Sequence, residues 1–290
     1  MNILITGAGG QLGREWVDYL EGTSHEIYAF GSSRLDITKP EQIEEVFDDC
    51  NPDLVINCAA YTNVDKAEEE SEKAFLVNET GVKNLASACE KREVRLVHFS
   101  TDYVFSGSEK DAQMFPDGYP EAGPINPLNV YGKSKRAGEV ALENSGADWL
   151  TIRVSWLCGR YGGNFVKTML RLAESRSELD IVKDQIGSPT FCFDVVEKTM
   201  SLIDREMNGY FHISSKGKIS WYDFAGKIFE ITGHKIHLNP VLSSEFKTKS
   251  ERPAFSLLST AKMGSMGLKP LAWDEGLKQL IQQLPGNYAD

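Results

Sequence analysis

Cysteine is scarce in this sequence of 290 residues, and no two of its five cysteines are spaced as Cys-x-x-Cys. The odd number and irregular spacing indicate reduced thiols rather than a disulfide framework. No apolar run approaches the roughly 18 residues that a membrane helix needs, and no secretory signal precedes the first predicted strand. We therefore expect a cytoplasmic protein that has no membrane partner.

Basic residues are also fewer than acidic ones, with 31 against 42, and the formal net charge is -11. This balance disfavours nonspecific binding to nucleic acid, so any anionic ligand needs a local site. The five histidines lack the spacing of metal ligands, and we predict no metal site. A Gly-x-Ser-x-Gly elbow and a Walker pattern are missing too, which argues against a hydrolase and a P-loop nucleotide hydrolase.

Short apolar runs alternate with helical patterns through the first half of the chain, beginning with predicted strands at 1–6, 26–30, 53–61, 95–99 and 149–154. The helices between them are predicted near 11–20, 40–50, 68–90 and 131–142. This order is typical of an α/β fold whose parallel sheet is buried between helices. The pattern becomes less regular after residue 155, and we predict a smaller C-terminal α/β domain that interleaves with the first.

A glycine-rich turn joins the first strand to the first helix, with Gly7, Gly10 and Gly13 spaced as Gly-x-x-Gly-x-x-Gly around Gln11 and Leu12. Glycines at such a turn bring backbone N–H groups close to a pyrophosphate at the N-terminus of a helix. We therefore predict a Rossmann-like, doubly wound sheet that binds NAD(P). The predicted NAD(P)-binding domain spans 1–155, with returning pieces near 178–214, and the substrate domain spans 156–290.

The end of the second strand favours NADPH over NADH. An NAD-selective site often places an acid there against the ribose hydroxyls, whereas this chain has Arg34 after two serines, which can receive a 2′-phosphate. A solvated surface arginine is an equally good interpretation, and NADH remains an alternative. Asp36 follows where a carboxylate can accept from the adenine amino group, with Ile37 beside it.

Two further strand ends point towards the same ligand. The third strand ends in small residues and leads to Ala60, Tyr61 and Thr62, which we predict to line the cofactor, because open α/β sheets bind ligands at the carboxyl ends of their strands. The fourth strand leads to the hydroxyl of Thr101, which can hydrogen-bond a substrate carbonyl. The long segment 106–127 is predicted to be a loop that lines or covers the site.

Tyr131 and Lys135 are four residues apart at the start of the next helix and therefore share one face. A neighbouring ammonium favours the phenolate and draws the pKa of the tyrosine down from about 10 towards working pH. Such a phenol is a good acid or base catalyst. A Tyr-x-x-x-Lys pair alone occurs often by chance, so its position after the glycine turn and Thr101 carries the prediction.

In order and spacing, these motifs resemble the extended short-chain dehydrogenase/reductase superfamily. Longer stretches resemble the dTDP-4-dehydrorhamnose reductase family over nearly the whole chain, namely 6–13, 57–65, 100–105, 126–135, 153–156, 163–165, 184–190 and 252–253. The resemblance implies reduction, by NADPH or NADH, of the C4 ketone of dTDP-4-dehydro-β-L-rhamnose to dTDP-L-rhamnose, a precursor of cell-surface polysaccharide.

The resemblance also implies roles for individual residues. Tyr131 protonates the developing alkoxide, Lys135 lowers the pKa of Tyr131 and holds the nicotinamide ribose, and Thr101 hydrogen-bonds the same oxygen. The residues that match family positions around the sugar nucleotide are Asp102, Tyr103, Trp156, Asn164 and Arg252. Some members of the family bind magnesium at a dimer interface. Glu15 matches one ligand there, but Phe193 stands where another glutamate is expected, which speaks against a magnesium-bridged dimer.

Three alternatives stay open at this point. Sugar-nucleotide epimerases and dehydratases retain NAD, although a dehydratase commonly has Asp-Glu after the threonine and this chain has Asp102 and Tyr103. A non-catalytic NADP-binding protein, such as the regulatory subunit of methionine adenosyltransferase, is the second alternative. The third concerns assembly, because the sequence is compatible with a monomer or a homodimer.

Overall fold

Strands and helices alternate along residues 1–284, the part of the chain that this computed structural model describes. Residues 285–290 of the predicted second domain lie outside the described residues. The strands are β1 Asn2–Thr6, β2 Glu26–Phe30, β3 Leu54–Asn57, β4 Arg95–Thr101, β5 Trp149–Val154, β6 Leu157–Cys158, β7 Glu178–Val182, β8 Ile186–Gly187, β9 Thr190–Phe191, β10 Gly209–His212, β11 Ile219–Ser220 and β12 His237–Val241. The α-helices are α1 Gln11–Leu20, α2 Pro40–Cys50, α3 Val64–Ala67, α4 Ser71–Phe75, α5 Val82–Arg92, α6 Glu109–Met114, α7 Val130–Glu143, α8 Phe165–Ala173, α9 Cys192–Asp204, α10 Trp221–Thr232, α11 Ala261–Ser265 and α12 Trp273–Gln283.

The central sheet has six parallel strands in the order β10-β5-β4-β3-β1-β2. The direction of winding reverses at β1, because β1 pairs with β2 on one side and with β3 on the other. Such a reversal opens a crevice at the carboxyl ends of the strands, where α/β sheets bind their ligands. The predicted Rossmann-like, doubly wound fold is confirmed.

Alternation along β1 explains why helices cover both faces of the sheet. Ile3 and Ile5 point to one face and pack in a core with Trp16 of α1 and Val196 of α9. Leu4 points to the other face, into a core supplied by α2 and α5. Apolar cores cover both faces, so a polar ligand can meet several strands at once at their carboxyl ends.

A further core lies in the second half of the chain, where α8, α10 and α12 pack around buried Leu170, Phe224 and Leu277. The second half also contributes to the sheet, because β10 pairs with β5 and α9 packs against α1. In contrast, β7 pairs with β12 outside the central sheet. Division of the chain at residue 155 into a cofactor domain and a substrate domain remains a proposal.

Two segments differ from their sequence-based predictions. The predicted loop 106–127 contains the short helix α6, whose N-terminus is capped by the Ser108 side chain accepting from the Asp111 amide over 3.1 Å. The single helix predicted at 68–90 is instead α4, a π-helical turn at Leu76–Gly81, and α5. None of the helices within residues 1–284 has both the length and the apolar composition needed to cross a bilayer.

Candidate active site

The glycine-rich turn is shaped by contacts that only glycine permits. Gly7 has φ +62°, a conformation that residues with a Cβ rarely adopt. A Cβ on Gly13 would lie 2.4 Å from the Gly7 carbonyl oxygen, so α1 can pack against the turn only without a side chain there. Gly10 is the N-cap of α1 and has no side chain to cap the helix, which leaves the first amides of α1 facing the crevice.

Gln11 and Leu12 follow this turn and have different surroundings. Leu12 is buried in the core under the sheet. The Gln11 side chain donates to the Leu157 carbonyl over 3.1 Å and accepts from the Asn164 amide over 2.7 Å. Asn164 also caps α8 by accepting from the Lys167 amide. The structure therefore places Asn164 beside the glycine-rich turn. Its predicted role in binding the sugar nucleotide remains a prediction.

The end of β2 carries the residues predicted to face the adenosine. Arg34 is partly exposed and forms ion pairs with Glu45 at 2.9 Å and Asp49 at 3.1 Å. The Asp36 carboxylate accepts from both the backbone and the hydroxyl of Thr38, over 3.0 and 2.8 Å. Ile37 is buried. Arg34 is thus held by acids of α2, and its use against a 2′-phosphate stays a prediction.

The loop after β3 is held by hydrogen bonds to the side chain of Asn78, which lies in the π-helical turn. The Asn78 side chain accepts from the Tyr61 amide and donates to the Tyr61 carbonyl, over 2.9 and 3.0 Å. It also donates to the Ser134 hydroxyl on α7 over 2.9 Å. This buried amide joins the segment of Ala60, Tyr61 and Thr62 to the Tyr131 helix, a link that the sequence pattern did not indicate.

The helix α7 begins at an asparagine cap and is held against β5. Asn129 accepts from the Gly132 amide over 2.8 Å. Further along α7, Glu139 is fully buried and accepts two hydrogen bonds from Arg153 of β5, over 2.7 and 2.9 Å. A buried pair with this geometry fixes the rotation of the helix, and with it the direction in which Tyr131 points.

Tyr131 and Lys135 share one face of α7 but do not contact each other directly. The Tyr131 ring packs edge-on against Tyr103, with ring centroids 5.6 Å apart. The Lys135 ammonium nitrogen is 2.7 Å from the Phe99 carbonyl and 3.3 Å from Nε2 of His98. The spacing of four residues on α7 therefore brings the two side chains to one site, while Lys135 forms its hydrogen bonds with residues of β4.

The electrostatics of this pair differ from the sequence-based expectation. Burial is the main cause that raises the pKa of Tyr131 above its usual value, and the nearby Asp102 adds to it, whereas the Thr101 hydroxyl lowers it. Burial also lowers the pKa of Lys135 to about 8. The sequence predicted that Lys135 draws the pKa of Tyr131 down, and this was wrong in direction, because desolvation dominates and the lysine's hydrogen bonds go to Phe99 and His98.

Thr101 and Asp102 lie at the end of β4, next to Tyr131. The Thr101 hydroxyl donates to Asp102 over 2.8 Å and accepts from the Tyr103 amide over 3.2 Å. Asp102 is 4% exposed, and burial raises the pKa of its carboxyl group to about 7. The predicted catalytic residues are therefore brought together with an acid that titrates near neutral pH.

Trp156 and Arg252 lie on the other side of the crevice. Trp156 stacks on Trp221 with ring centroids 3.5 Å apart and donates from its indole to Ser256 over 3.0 Å. The Arg252 guanidinium pairs with Asp65 at 2.9 Å and lies 3.5 Å from the Tyr103 hydroxyl. These contacts join Arg252, in the second half of the chain, to two residues of the first half.

Arg252 and Trp221 line a cavity of about 1260 Å³ that adjoins this region. The volume exceeds the ~1,000 Å³ upper range of ordinary small-molecule sites and suits an extended ligand. Its wall combines apolar surface from Phe165 and Leu179 with the cationic side chains of Arg176 and Arg252. A flat ring joined to an anionic group is the class of ligand that such a surface can bind.

At the family's magnesium position, the Glu15 carboxylate is taken up by an arginine. Glu15 is 4% exposed, and both of its carboxylate oxygens are within 3.3 Å of the Arg160 guanidinium. Phe193, the second position, offers no ligand atom. Among residues 1–284 there is no group of three or more potential ligands from histidine, cysteine, aspartate and glutamate.

The sequence matches the model of one protein family, described as the RmlD substrate binding domain, over residues 1–285. The chain belongs to this family. The chain is also similar to curated proteins of nearly equal length. One is 40% identical and covers 97% of both chains, the spore coat polysaccharide biosynthesis protein SpsK of Bacillus subtilis. Another, 39% identical over 96% of this chain and 97% of its own, is the dTDP-4-dehydrorhamnose reductase of Aggregatibacter actinomycetemcomitans.

A solved structure extends this family relationship to three dimensions. The dTDP-4-dehydrorhamnose reductase of Bacillus anthracis, determined in complex with NADP, superposes with a TM-score of 0.92. It is 39% identical, and the match covers 97% of this chain and 98% of that one. Membership of the RmlD family confirms the sequence-based recognition, while the individual site residues remain predictions.

Proposed function

We propose that this chain is an NADPH-dependent oxidoreductase that reduces the C4 ketone of dTDP-4-dehydro-β-L-rhamnose to dTDP-L-rhamnose. The observation that carries the proposal is the meeting of Thr101, Tyr131 and Lys135 at the end of β4, beside the glycine-rich turn of an RmlD-family fold. The relative of known structure is named as a dTDP-4-dehydrorhamnose reductase in complex with NADP, which supports both the substrate and the cofactor.

The residues present fit NADPH. The turn at 7–13 and the N-terminus of α1 would hold its pyrophosphate, and the segment 60–62 would lie along it. NADPH, when bound, supplies the hydride for C4 of the sugar. Tyr131 gives its phenolic proton to the C4 oxygen as negative charge develops there. The raised pKa keeps this phenol protonated at neutral pH, which is the form that a reduction requires.

The remaining site residues orient the reacting groups. Thr101 can donate to the C4 oxygen once the Asp102 carboxyl group is protonated and donates to Thr101, because the ionised acid takes the threonine's hydrogen. Lys135 is buried below Tyr131 and provides donors for the ribose of the cofactor. The edge-on packing of the Tyr103 and Tyr131 rings holds the phenol of Tyr131 in place.

We assign the nucleoside diphosphate of the substrate to the large cavity. Arg252 has the planar guanidinium group that suits a diphosphate. Trp221, which also lines the cavity, stacks on Trp156 and offers a flat apolar surface to the sugar nucleotide. We also propose a cytoplasmic location and no nucleic acid partner, from the reduced thiols and the acidic balance. Sedimentation of the pure protein would tell a monomer from a homodimer.

The decisive experiment follows NADPH oxidation at its absorbance band with freshly prepared dTDP-4-dehydro-L-rhamnose, and identifies the product by NMR. Substrate-dependent oxidation that yields the C4 configuration of L-rhamnose is the expected result. Oxidation that gives the other C4 epimer would keep the reductase and change the product. Binding of NADPH without any turnover, while Tyr131→Phe behaves like wild type, would overturn the proposal in favour of a regulatory protein.

A further inference from the structure

A buried chain of hydrogen bonds leads from β1 to Lys135 and involves residues to which the reaction assigns no role. Thr6, Asn57 and His98 lie on the adjacent strands β1, β3 and β4, and each is at most 1% exposed. The Asn57 amide nitrogen is 3.1 Å from Nδ1 of His98. Nε2 of the same ring is 3.3 Å from the Lys135 nitrogen. Polar groups buried this deeply must satisfy one another.

The direction of this chain is set by a backbone amide. The Asn57 side-chain oxygen accepts from the Ala59 N–H over 3.1 Å and from the Thr6 hydroxyl over 2.7 Å. A backbone N–H can only donate, so the oxygen end of the Asn57 amide must face Ala59. The nitrogen end then faces His98, and it too can only donate. Nδ1 of His98 is therefore the acceptor, and its ring proton is assigned to Nε2.

This tautomer has a consequence for Lys135. The Nε2–H of His98 is directed at the lysine nitrogen, and an ammonium group has hydrogens but no lone pair with which to accept. A neutral amine accepts from Nε2–H and still donates to the Phe99 carbonyl at 2.7 Å. Every hydrogen bond of the chain is then satisfied, whereas an ammonium would place two donors against each other.

The other groups that face Lys135 do not demand a positive charge. Tyr131 on the same helix and Cys58 at the end of β3 are both neutral, because burial raises the pKa of each above its usual value. Glu139, one turn further along α7, opposes this by raising the pKa of Lys135, but burial outweighs it and Glu139 is already paired with Arg153 and Arg136. Burial of the lysine at 2% exposure favours its neutral form as well.

We propose that Asn57 and His98 are positioning residues which favour the neutral amine of Lys135 over its ammonium form, through a hydrogen-bond chain whose direction is fixed by the Ala59 backbone amide. The chain itself rests only on these contacts, and its use in catalysis rests on the proposed function. In an enzyme built in this way, a change in the surroundings of Lys135 shifts its balance between amine and ammonium, which couples the charge next to Tyr131 to ligand binding.

Asn57→Asp tests the proposal with little change of shape. A carboxylate at this position accepts from Ala59 and Thr6 with one oxygen and from His98 with the other, so the ring proton moves to Nδ1. Nε2 then accepts from a lysine ammonium. We expect the midpoint of the Lys135 titration to rise by at least about one pH unit, the usual effect of a favourable charged partner.

The measurement is NMR of the full chain without added nucleotide. Ring nitrogen shifts report the tautomer of His98, assigned by loss of its signals in His98→Phe, and the Cε signal of Lys135, assigned with Lys135→Arg, reports its titration. The control is Asn57→Asp combined with His98→Phe, in which the new charge acts only through space. We expect a smaller rise of the lysine midpoint in that double variant than in Asn57→Asp.

Two results would overturn the proposal. One is a wild-type His98 with its proton on Nδ1, which needs no variant and is independent of folding changes. The other is an equal shift of the Lys135 midpoint in Asn57→Asp and in the double variant, which would mean that His98 transmits nothing. Neither result depends on turnover, so an inactive protein with the expected His98 tautomer would count against the proposed function alone.

Discussion

The Thr101 hydroxyl donates its only hydrogen to the carboxylate of Asp102, the next residue along the chain, over 2.8 Å. A threonine committed in this way cannot also donate to a substrate oxygen. Protonation of Asp102 resolves the conflict, because the acid then donates to Thr101 and releases the threonine hydrogen towards the site. Burial raises the pKa of Asp102 to about 7, so this exchange falls in the working range of pH.

We therefore predict that kcat/KM for the ketone falls as pH rises through about 7, and that Asp102→Asn removes this part of the pH profile. The asparagine amide donates to Thr101 at every pH, as the protonated acid does. The measurement is steady-state NADPH oxidation between roughly pH 5.5 and 9, a range that spans the pKa of Asp102 on both sides. An unchanged descending limb in the variant would rule out Asp102 as its origin.

The same carboxyl group makes a prediction about stability. Its folded-state pKa is raised from 3.8 to about 7, so its contribution to folding is complete below pH 3.8 and is lost as pH rises through 7. The loss amounts to at most about 4 kcal/mol. Urea unfolding of wild type and Asp102→Asn at pH 5 and pH 8 should show a smaller decline for the variant. Parallel declines would contradict the assignment.

Tyr131→Phe should bind NADPH as wild type does and lose about 10²–10⁴ in kcat, the usual contribution of a general acid. The phenol is the proposed proton donor to the alkoxide, and phenylalanine keeps a ring that can pack against Tyr103. Nucleotide binding by fluorescence and turnover under saturating substrate separate the two effects. Near-normal kcat would remove Tyr131 from the mechanism.

Arg34→Ala should weaken NADPH binding by about tenfold or more and leave NADH unchanged, if the guanidinium contacts the 2′-phosphate. In the structure its partners are Glu45 and Asp49, which are both exposed carboxylates. Glu45→Gln is the matched control, because it removes the charge of one of the two acids paired with Arg34, keeps Arg34 itself, and should not weaken NADPH binding. Calorimetry with both nucleotides decides the question, and equal losses for NADPH and NADH would exclude the contact.

Arg252→Ala should raise KM for the sugar nucleotide by about 10–100-fold, since a charge-assisted hydrogen bond contributes roughly 1.5–3 kcal/mol. Its present partner is Asp65, at 2.9 Å. Asp65→Asn removes that partner and should leave KM the same or lower. If both variants raised KM to the same extent, the ion pair itself, and not contact with the diphosphate, would be what matters.

Glu139→Gln should destabilise the protein by about 3–5 kcal/mol, because it leaves the Arg153 guanidinium buried without its counter-charge. Arg153 is 1% exposed and donates two hydrogen bonds to Glu139. Chemical denaturation measures the loss, and Glu143→Gln, which alters a more exposed acid of the same helix, serves as control. A loss below ~1 kcal/mol would indicate that water reaches the pair.

The sequence predicted the elements that depend on local pattern. The bounds of α2 came out as expected, because Pro40 suits the first turn and an apolar stripe follows it. Tyr131 and Lys135 were found by their helical spacing, and Thr101 by its place after an apolar strand. Each of these signals lies within a few residues of the feature it predicts.

Contacts between distant segments could not be read in this way. Asn57, His98 and Lys135 are brought together only by the pairing of β3 with β4 and by the packing of α7 across them. The pKa of Tyr131 was predicted in the wrong direction for a related reason, because burial depends on the whole fold. The spacing of residues on one helix indicates which charges are close to Tyr131, but it does not indicate how far the rest of the fold removes water from the phenol.

The π-helical turn at Leu76–Gly81 limits how the length of this chain can vary. One residue of an α-helix corresponds to about 100° of rotation. Deleting one residue here would allow a regular helix to form but would turn Asn78 away from Tyr61 and Ser134. Adding one residue would have a comparable effect in the opposite sense. Chains that keep the hydrogen bonds of Asn78 to Tyr61 and Ser134 should therefore conserve the number of residues between α4 and α5 more strictly than the identity of those residues.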